Sequence, residues 1–264
     1  MNDDKILMER AISSANLESR SGINNKYALN DFNGFIGDIL NNINFKSVLD
    51  ICCGTGNQIM HYIERPNTEE IVGVDISAES LMVARKRITG DLKEKNVEFI
   101  CTPMEKMFFD SGLIQRKFDL ISCHYGLYYS RSVVDTLKEC YQHLNQEGTI
   151  LIVGPYGENN HQLFRILEKY TKIPDFVKYS SGDFMASEVS PLLTELGLTF
   201  QEYKFENEIR YPSVDAVLSY WKASTFYDEQ VEEKFSKRLE ATFAENASFN
   251  VSKHVIAYVA KKIL

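Results

Sequence analysis

The residues best suited to chemistry fall in three short stretches. Residues 49–57 read LDICCGTGN, in which Asp50 precedes two cysteines and Gly54 and Gly56 follow them. About twenty residues on, IVGVDIS carries Asp75, and later FDLISCHYGLYYS brings His124 and Tyr125 to the end of an apolar run. Small residues in a turn let the backbone approach a ligand closely, and an acidic residue ending the next strand accepts hydrogen bonds from ribose hydroxyls. This spacing predicts a nucleotide-bearing cofactor over the Gly54–Gly56 turn with Asp75 at its ribose. The turn lacks the third glycine of a full G-x-G-x-x-G, so a dinucleotide pyrophosphate suits it less. His124 has the chemistry of a general base and equally that of a hydrogen-bonded wall residue. His161, after a later strand, is within reach of a substrate, and Tyr125, Tyr128 and Tyr129 are candidates for its walls.

The five cysteines (Cys52, Cys53, Cys101, Cys123 and Cys140) are odd in number and form no C-x-x-C pair. Vicinal Cys52 and Cys53 are read as small structural residues, one toward the cofactor and one toward the core, rather than as a disulfide or redox pair. The histidines show no metal-ligand spacing, so no metal is expected.

These residues need a scaffold that brings strand ends together. From about Ser47 to Gly154, short Val/Ile/Leu-rich runs (SVLDICC, IVGVDIS, VEFICT, FDLISCHYG, GTILIVGP) alternate with helical patterns such as AESLMVARKRITGDL and RSVVDTLKECYQHL. Such alternation predicts an α/β fold with a doubly wound, mostly parallel sheet. DFNGFIGDILNNI is a helix leading into it. SEVSPLLTELGL, SVDAVLSYWKAS and DEQVEEKFSKRLEATFAEN read as helices, and TFQEYKFENEIRYP and FNVSKHVIAYVAKK as two late strands at the sheet edge.

The chain has 264 residues, 44% of them hydrophobic, with a formal net charge of -8, enough apolar residues for a substantial core. An acidic chain is a poor partner for a phosphate backbone, so no nucleic acid is expected. With no long apolar run and a polar N-terminus, the expectation is a cytoplasmic protein without membrane insertion.

Taken in order, these motifs resemble those of the class I S-adenosylmethionine-dependent methyltransferases. LDICCGTG is similar to their glycine motif, with Cys52 where a glycine is usual; VGVDIS, VEFICTPMEKM, FDLISCHYGLYYS and LNQEGTILIVGP match four later motifs. The likeness covers roughly residues 45–155. It implies a Rossmann-like seven-stranded sheet with helical lid segments and S-adenosyl-L-methionine as cofactor. It also implies that Asp50 orients the loop near the methionine amino group, and that Cys52, Gly54, Thr55 and Gly56 face the methionine part through backbone atoms. Asp75 would bind the ribose diol, Ile76 pack on the adenine, and Met104 and Glu105 flank the adenine edge. Many relatives carry Asp where Pro103 stands, so that contact must come from Glu105, backbone or water. His124 and Tyr125 would lie at the sulfonium end, and Tyr27 in NNKYALN would cover the methionine carboxylate.

The expected organisation is an N-terminal helical lid over 1–44, a cofactor-binding core over 45–155, and a substrate-covering region with the closing strands over 156–264. The expected reaction is methyl transfer to oxygen or nitrogen of a small molecule or glycan precursor. Two alternatives stay open: an NAD- or nucleotide-binding oxidoreductase, and a non-catalytic cofactor-binding protein.

Overall fold

In the computed structural model, residues 2–89, 92, 95–110 and 112–262 are described. Three helices, α1 (Asn2–Ile12), α2 (Ser14–Tyr27) and α3 (Phe32–Asn41), precede the first strand. The alternating block follows as β1 (Ser47–Ile51), α4 (Asn57–Ile63), β2 (Glu70–Asp75), α5 (Ala78–Arg87), β3 (Asn96–Cys101), α6 (Met107–Asp110), β4 (Phe118–His124), α7 (Val133–Gln142) and β5 (Leu144–Pro155). Then come α8 (His161–Leu167), α9 (Asp175–Gly182), α10 (Ser190–Glu195), β6 (Leu198–Tyr211), α11 (Val214–Lys222), α12 (Glu232–Glu245) and β7 (Phe249–Lys262).

The seven strands form one sheet in the order β3-β2-β1-β4-β5-β7-β6. β1 pairs in parallel with both β2 and β4, β2 with β3, and β4 with β5. The chain order reverses at β1, and the crevice above the carboxyl ends of β1 and β4 is where open α/β sheets bind ligands. The strands earn their burial by composition: Val48, Leu49, Ile51, Ile71, Val72, Val74, Leu120 and Ile121 are all essentially inaccessible. This is the doubly wound, mostly parallel sheet that the alternation implies, with the seven strands that the resemblance implies.

Local signals explain the helix ends. Ser77, Ser132 and Ser213 cap α5, α7 and α11 by accepting from the N–H groups of Ser80, Asp135 and Ala216. The helix read over AESLMVARKRITGDL stops at Arg87, because Ile88 already has an extended backbone (φ -82°, ψ 97°); Gly90 and Asp91 lie outside the described residues. Gly197, at φ 71°, follows the C-cap Leu196 and ends α10.

The chain divides into two compact units. A sheet unit comprises Gly34–Gly154, Phe184–Lys204 and Ile256–Leu264, and a helical unit comprises Met1–Asn33, Pro155–Asp183 and Phe205–Val255. In the helical unit, α2 packs on α11, and the Arg10 and Arg20 side chains donate to carbonyls of Lys222, Ala223 and Ser224 at the carboxyl end of α11. No described helix is long and apolar enough to cross a membrane.

Candidate active site

The loop between β1 and α4 is built from unusual backbone. Cys52, Gly54 and Gly56 have φ values of 58°, 53° and 81°, all left-handed. The two glycines adopt this freely, whereas Cys52 does so against a steric cost of about 1–2 kcal/mol. Gly56 is also where α4 meets α5: a Cβ there would lie 2.9 Å from the Ala84 Cβ. The Gly54 N–H donates to Asp75 Oδ2 at 2.8 Å, and the Ser77 N–H donates to Asp75 Oδ1 at 2.8 Å. One carboxylate at the end of β2 therefore ties the glycine loop to the start of α5. Burial raises its pKa, against the backbone donors that lower it. The N–H groups of Gly54, Ser77 and Ile76 take three of the roughly four lone-pair sites of the carboxylate, which leaves one for a ribose hydroxyl.

Asp50 is 1% exposed, on β1 between Gly73 and Ser122 of the neighbouring strands. Ser122 Oγ donates to its Oδ1 at 2.6 Å, while its Oδ2 is buried without a partner. Desolvation pushes its pKa up to about 7; the Ser122 hydrogen bond opposes this and the nearby Asp75 charge adds to it. Gln58 Oε1 on α4 is a second buried acceptor without a partner. Unsatisfied buried acceptors carry a penalty of about 1–3 kcal/mol each, so each of these atoms suits a donor supplied by a ligand.

β4 delivers His124 and Tyr125. His124 is half-buried and its Nδ1 has neither solvent nor partner. Burial, with a smaller contribution from His61, lowers its pKa to about 3, so the imidazole is neutral at pH 7. Tyr62 on α4 lies with its hydroxyl 2.9 Å from Ser122 Oγ and 3.4 Å from His124 Nε2. Tyr125 turns outward, 38% exposed, at φ 55°.

The remaining predicted residues separate. Thr55 is buried in the loop, and Ile76, 51% exposed, presents an apolar surface beside Asp75. Met104 and Glu105 sit after β3 in a short 3-10 turn. Glu105 Oε1 accepts from the Arg131 N–H at 2.7 Å and from Ser130 Oγ, which pins the loop after β4. Tyr27 belongs to the helical unit, edge-on to Tyr211 with ring centroids 6.1 Å apart.

The reading of Cys52 as facing the cofactor concerns its backbone atoms, and its side chain lies elsewhere. Its thiol hydrogen-bonds Cys123, inside the unit, and is held neutral well above its usual pKa by that bond and by burial. A Cβ on Gly126 would lie 2.7 Å from Cys52 Sγ, so Gly126 is the residue that makes room for it. Cys53 is buried as expected and fills the space beside Gly73. Sequence reasoning missed Tyr62, Ser122, Gln58 and Gly126. The one available signal was a tyrosine in the apolar stripe Ile59, Tyr62, Ile63 of α4, because a buried phenol needs a partner for its hydroxyl.

Residues 48–148 match the family described as methyltransferase domain. Demethylmenaquinone methyltransferase of Lactococcus lactis subsp. lactis (strain IL1403) is 29% identical over 175 residues, 60% of this chain and 68% of that protein. Malonyl-[acyl-carrier protein] O-methyltransferase of Priestia megaterium (strain DSM 319 / IMG 1521) is 25% identical over 164 residues, 61% of this chain and 56% of its own length. The chain thus spans about half to two thirds of the curated relatives it matches. Among solved structures, the YcgJ protein of Bacillus subtilis shares the fold with a TM-score of 0.61 at 20% identity, over 88% of this chain and 97% of that one. The plantazolicin methyltransferase BpumL in complex with SAH does so with a TM-score of 0.53 at 18% identity, over 99% and 98%.

Sheet order, glycine loop and the match over residues 48–148 all support a class I S-adenosylmethionine-dependent methyltransferase. The methyltransferase relatives support an enzyme of that class, whose cofactor is S-adenosyl-L-methionine. The residues present fit that group. The open Asp50 Oδ2 and Gln58 Oε1 suit an ammonium, Asp75 suits a ribose diol, and exposed Ile76 suits the face of a base.

Proposed function

We propose that the chain transfers the methyl group of S-adenosylmethionine to an oxygen or nitrogen of a small molecule or glycan precursor. The observation that carries this reading is the buried, unpartnered Oδ2 of Asp50 beside a glycine loop that Asp75 ties down, an arrangement with acceptors for both ends of the cofactor. The names of the relatives, which act on quinones and on a malonyl group carried by a protein, support a small acceptor. S-adenosylmethionine supplies a methyl group already activated on a sulfonium, so most of the task left to the protein is alignment.

Asp50 and Gln58 hold the amino group, and the backbone of Cys52, Gly54, Thr55 and Gly56 lies along the methionine part. Asp75 fixes the ribose, with Ile76, Met104 and Glu105 around the adenine. A neutral His124 accepts a hydrogen bond from the incoming nucleophile; its low pKa makes it an orienting group more than a proton store. Tyr125 forms part of the acceptor wall.

The test is transfer of a labelled methyl group from S-adenosylmethionine across a panel of quinols, catechols, carboxylic acids, amines and sugar nucleotides. Labelled product from at least one acceptor is the expected result. Tight cofactor binding with no product across the panel would favour a non-catalytic cofactor-binding role.

A further inference from the structure

We propose that Ser122 and Tyr62 are positioning residues that tie the charge on Asp50 to the tautomer of His124, so that an ammonium bound at Asp50 presets His124 Nδ1 as a bare acceptor. The proposal rests on the reading above, in which the cofactor's amino group meets Asp50.

Four side chains make three links inside the sheet unit: Ser122 Oγ to Asp50 Oδ1 at 2.6 Å, Tyr62 hydroxyl to Ser122 Oγ at 2.9 Å, and Tyr62 hydroxyl to His124 Nε2 at 3.4 Å. Tyr62 and Ser122 are fully buried, so neither hydroxyl has water as an alternative partner. Each hydroxyl has one proton to give. An ionised Asp50 only accepts, so Ser122 spends its proton there. Ser122 then accepts from Tyr62, and the Tyr62 oxygen is left to accept from Nε2–H of His124. A neutral imidazole with its proton on Nε2 carries a lone pair on Nδ1, the atom that is buried without a partner.

With Asp50 protonated on Oδ1 the order can run the other way. Asp50 donates to Ser122, Ser122 to Tyr62, and Tyr62 to Nε2, which places the histidine proton on Nδ1. The protons balance: Asp50 releases one to solvent as the ammonium binds, and His124 keeps one throughout and changes only the nitrogen that bears it. The raised pKa of Asp50 keeps both states within reach near neutrality. Other titratable groups acting on this chain are Asp75, Cys53 and Cys123, which disfavour negative charge on Asp50 or Tyr62, and His61, which disfavours a charged His124. Burial raises the Cys53 thiol, which stays neutral, so Asp50 is the group whose charge changes near neutrality.

The experiment is 15N–1H correlation spectroscopy of the full chain labelled at histidine, with His124→Gln to assign the signals. In complex with S-adenosylhomocysteine, wild type is expected to hold the Nε2–H tautomer by about tenfold, the ratio set by 1.4 kcal/mol. Tyr62→Phe should bring that ratio close to one, with Ser122→Ala as the second variant should Tyr62→Phe fail to fold. Cofactor-free protein should move toward Nε2–H as the pH rises from 6 to 8.5, and Asp50→Asn should abolish that shift. An Nδ1–H tautomer in the complex, or a ratio unmoved by both relay variants, overturns the proposal. Calorimetry on the same samples separates the two readings. Absence of S-adenosylhomocysteine binding refutes the cofactor assignment, while the cofactor-free pH series still decides the relay.

Discussion

The two units bury different things. The sheet unit buries polar groups: Asp50, Ser122, Thr55, Ser77 and Ser80 are nearly inaccessible, and Asp50 Oδ2, Gln58 Oε1 and His124 Nδ1 lack partners. The helical unit buries rings. Trp221 is fully enclosed between Tyr227 and Phe235, and Tyr211 stands between Tyr27 and Tyr220. Its main buried polar cluster is largely closed on itself, with Lys253 Nζ donating to Asn160 Oδ1 at 2.5 Å and to the Tyr220 hydroxyl at 2.6 Å. Buried acceptors left open cost stability and are retained where a ligand completes them, whereas rings and closed clusters hold a scaffold. The helical unit has its own open groups, Asn24 Oδ1 and the Tyr211 hydroxyl, so the contrast is one of number and of charge, centred on a carboxylate.

The comparison breaks most visibly through large core changes. Trp221→Ala should cost about 3–5 kcal/mol in urea unfolding, while the affinity of the molecules still folded for S-adenosylhomocysteine stays near wild type. Gly126→Val, which drives a side chain into Cys52 and Cys123, should instead abolish that binding. Equal loss of binding in both variants would erase the distinction between scaffold and site.

Next comes pH. The raised pKa of Asp50 means that the folded state keeps a proton which the unfolded chain has released, so its contribution to stability is lost as pH rises from about 4 through 7. The lowered pKa of His124 acts oppositely, and its contribution is lost as pH falls from about 6.5 toward 3. The two offset each other in wild type between about pH 4 and 6.5. Cofactor-free Asp50→Asn should therefore gain on wild type by up to about 4 kcal/mol between pH 4 and 7, at 1.4 kcal/mol per pH unit. His124→Gln should gain on wild type as pH falls through the His124 window. Parallel stability profiles for wild type and both variants would show that neither group is perturbed.

Smaller effects test the loop. Asp75→Ala should weaken S-adenosylhomocysteine binding by about 1–3 kcal/mol, since both the ribose acceptor and the anchor of Gly54 go. Calorimetry giving unchanged affinity would place the ribose elsewhere. Smallest of all, Cys52→Gly should raise stability by about 1 kcal/mol, because it relieves a left-handed backbone at φ 58°. A loss of stability on thermal unfolding would mean that the thiol's bond to Cys123 outweighs the strain.

Legibility in the sequence followed the same divide. The strands around LDICCGTGN and IVGVDIS were readable because a close backbone approach demands glycine, and because both faces of a covered strand demand Val, Ile and Leu. Asp50 and Asp75 were readable as acids at strand ends. Tyr62 and Ser122 were not, because a tyrosine in a helix stripe and a serine in a strand look like ordinary packing until a fold sets them 2.9 Å apart. The inward thiol of Cys52 depends on Gly126, more than seventy residues away, and no local pattern encodes such a contact. In the helical unit the helices over SVDAVLSYWKAS and DEQVEEKFSKRLEATFAEN were legible, but its assembly from three separated stretches was not, because none has a motif of its own.

The most direct test of the account is isothermal titration of the full chain with S-adenosylhomocysteine and, separately, with NAD. The account predicts one saturable site for S-adenosylhomocysteine, weakened in Asp75→Ala, and no binding of NAD. Saturable binding of NAD with none of S-adenosylhomocysteine would contradict it.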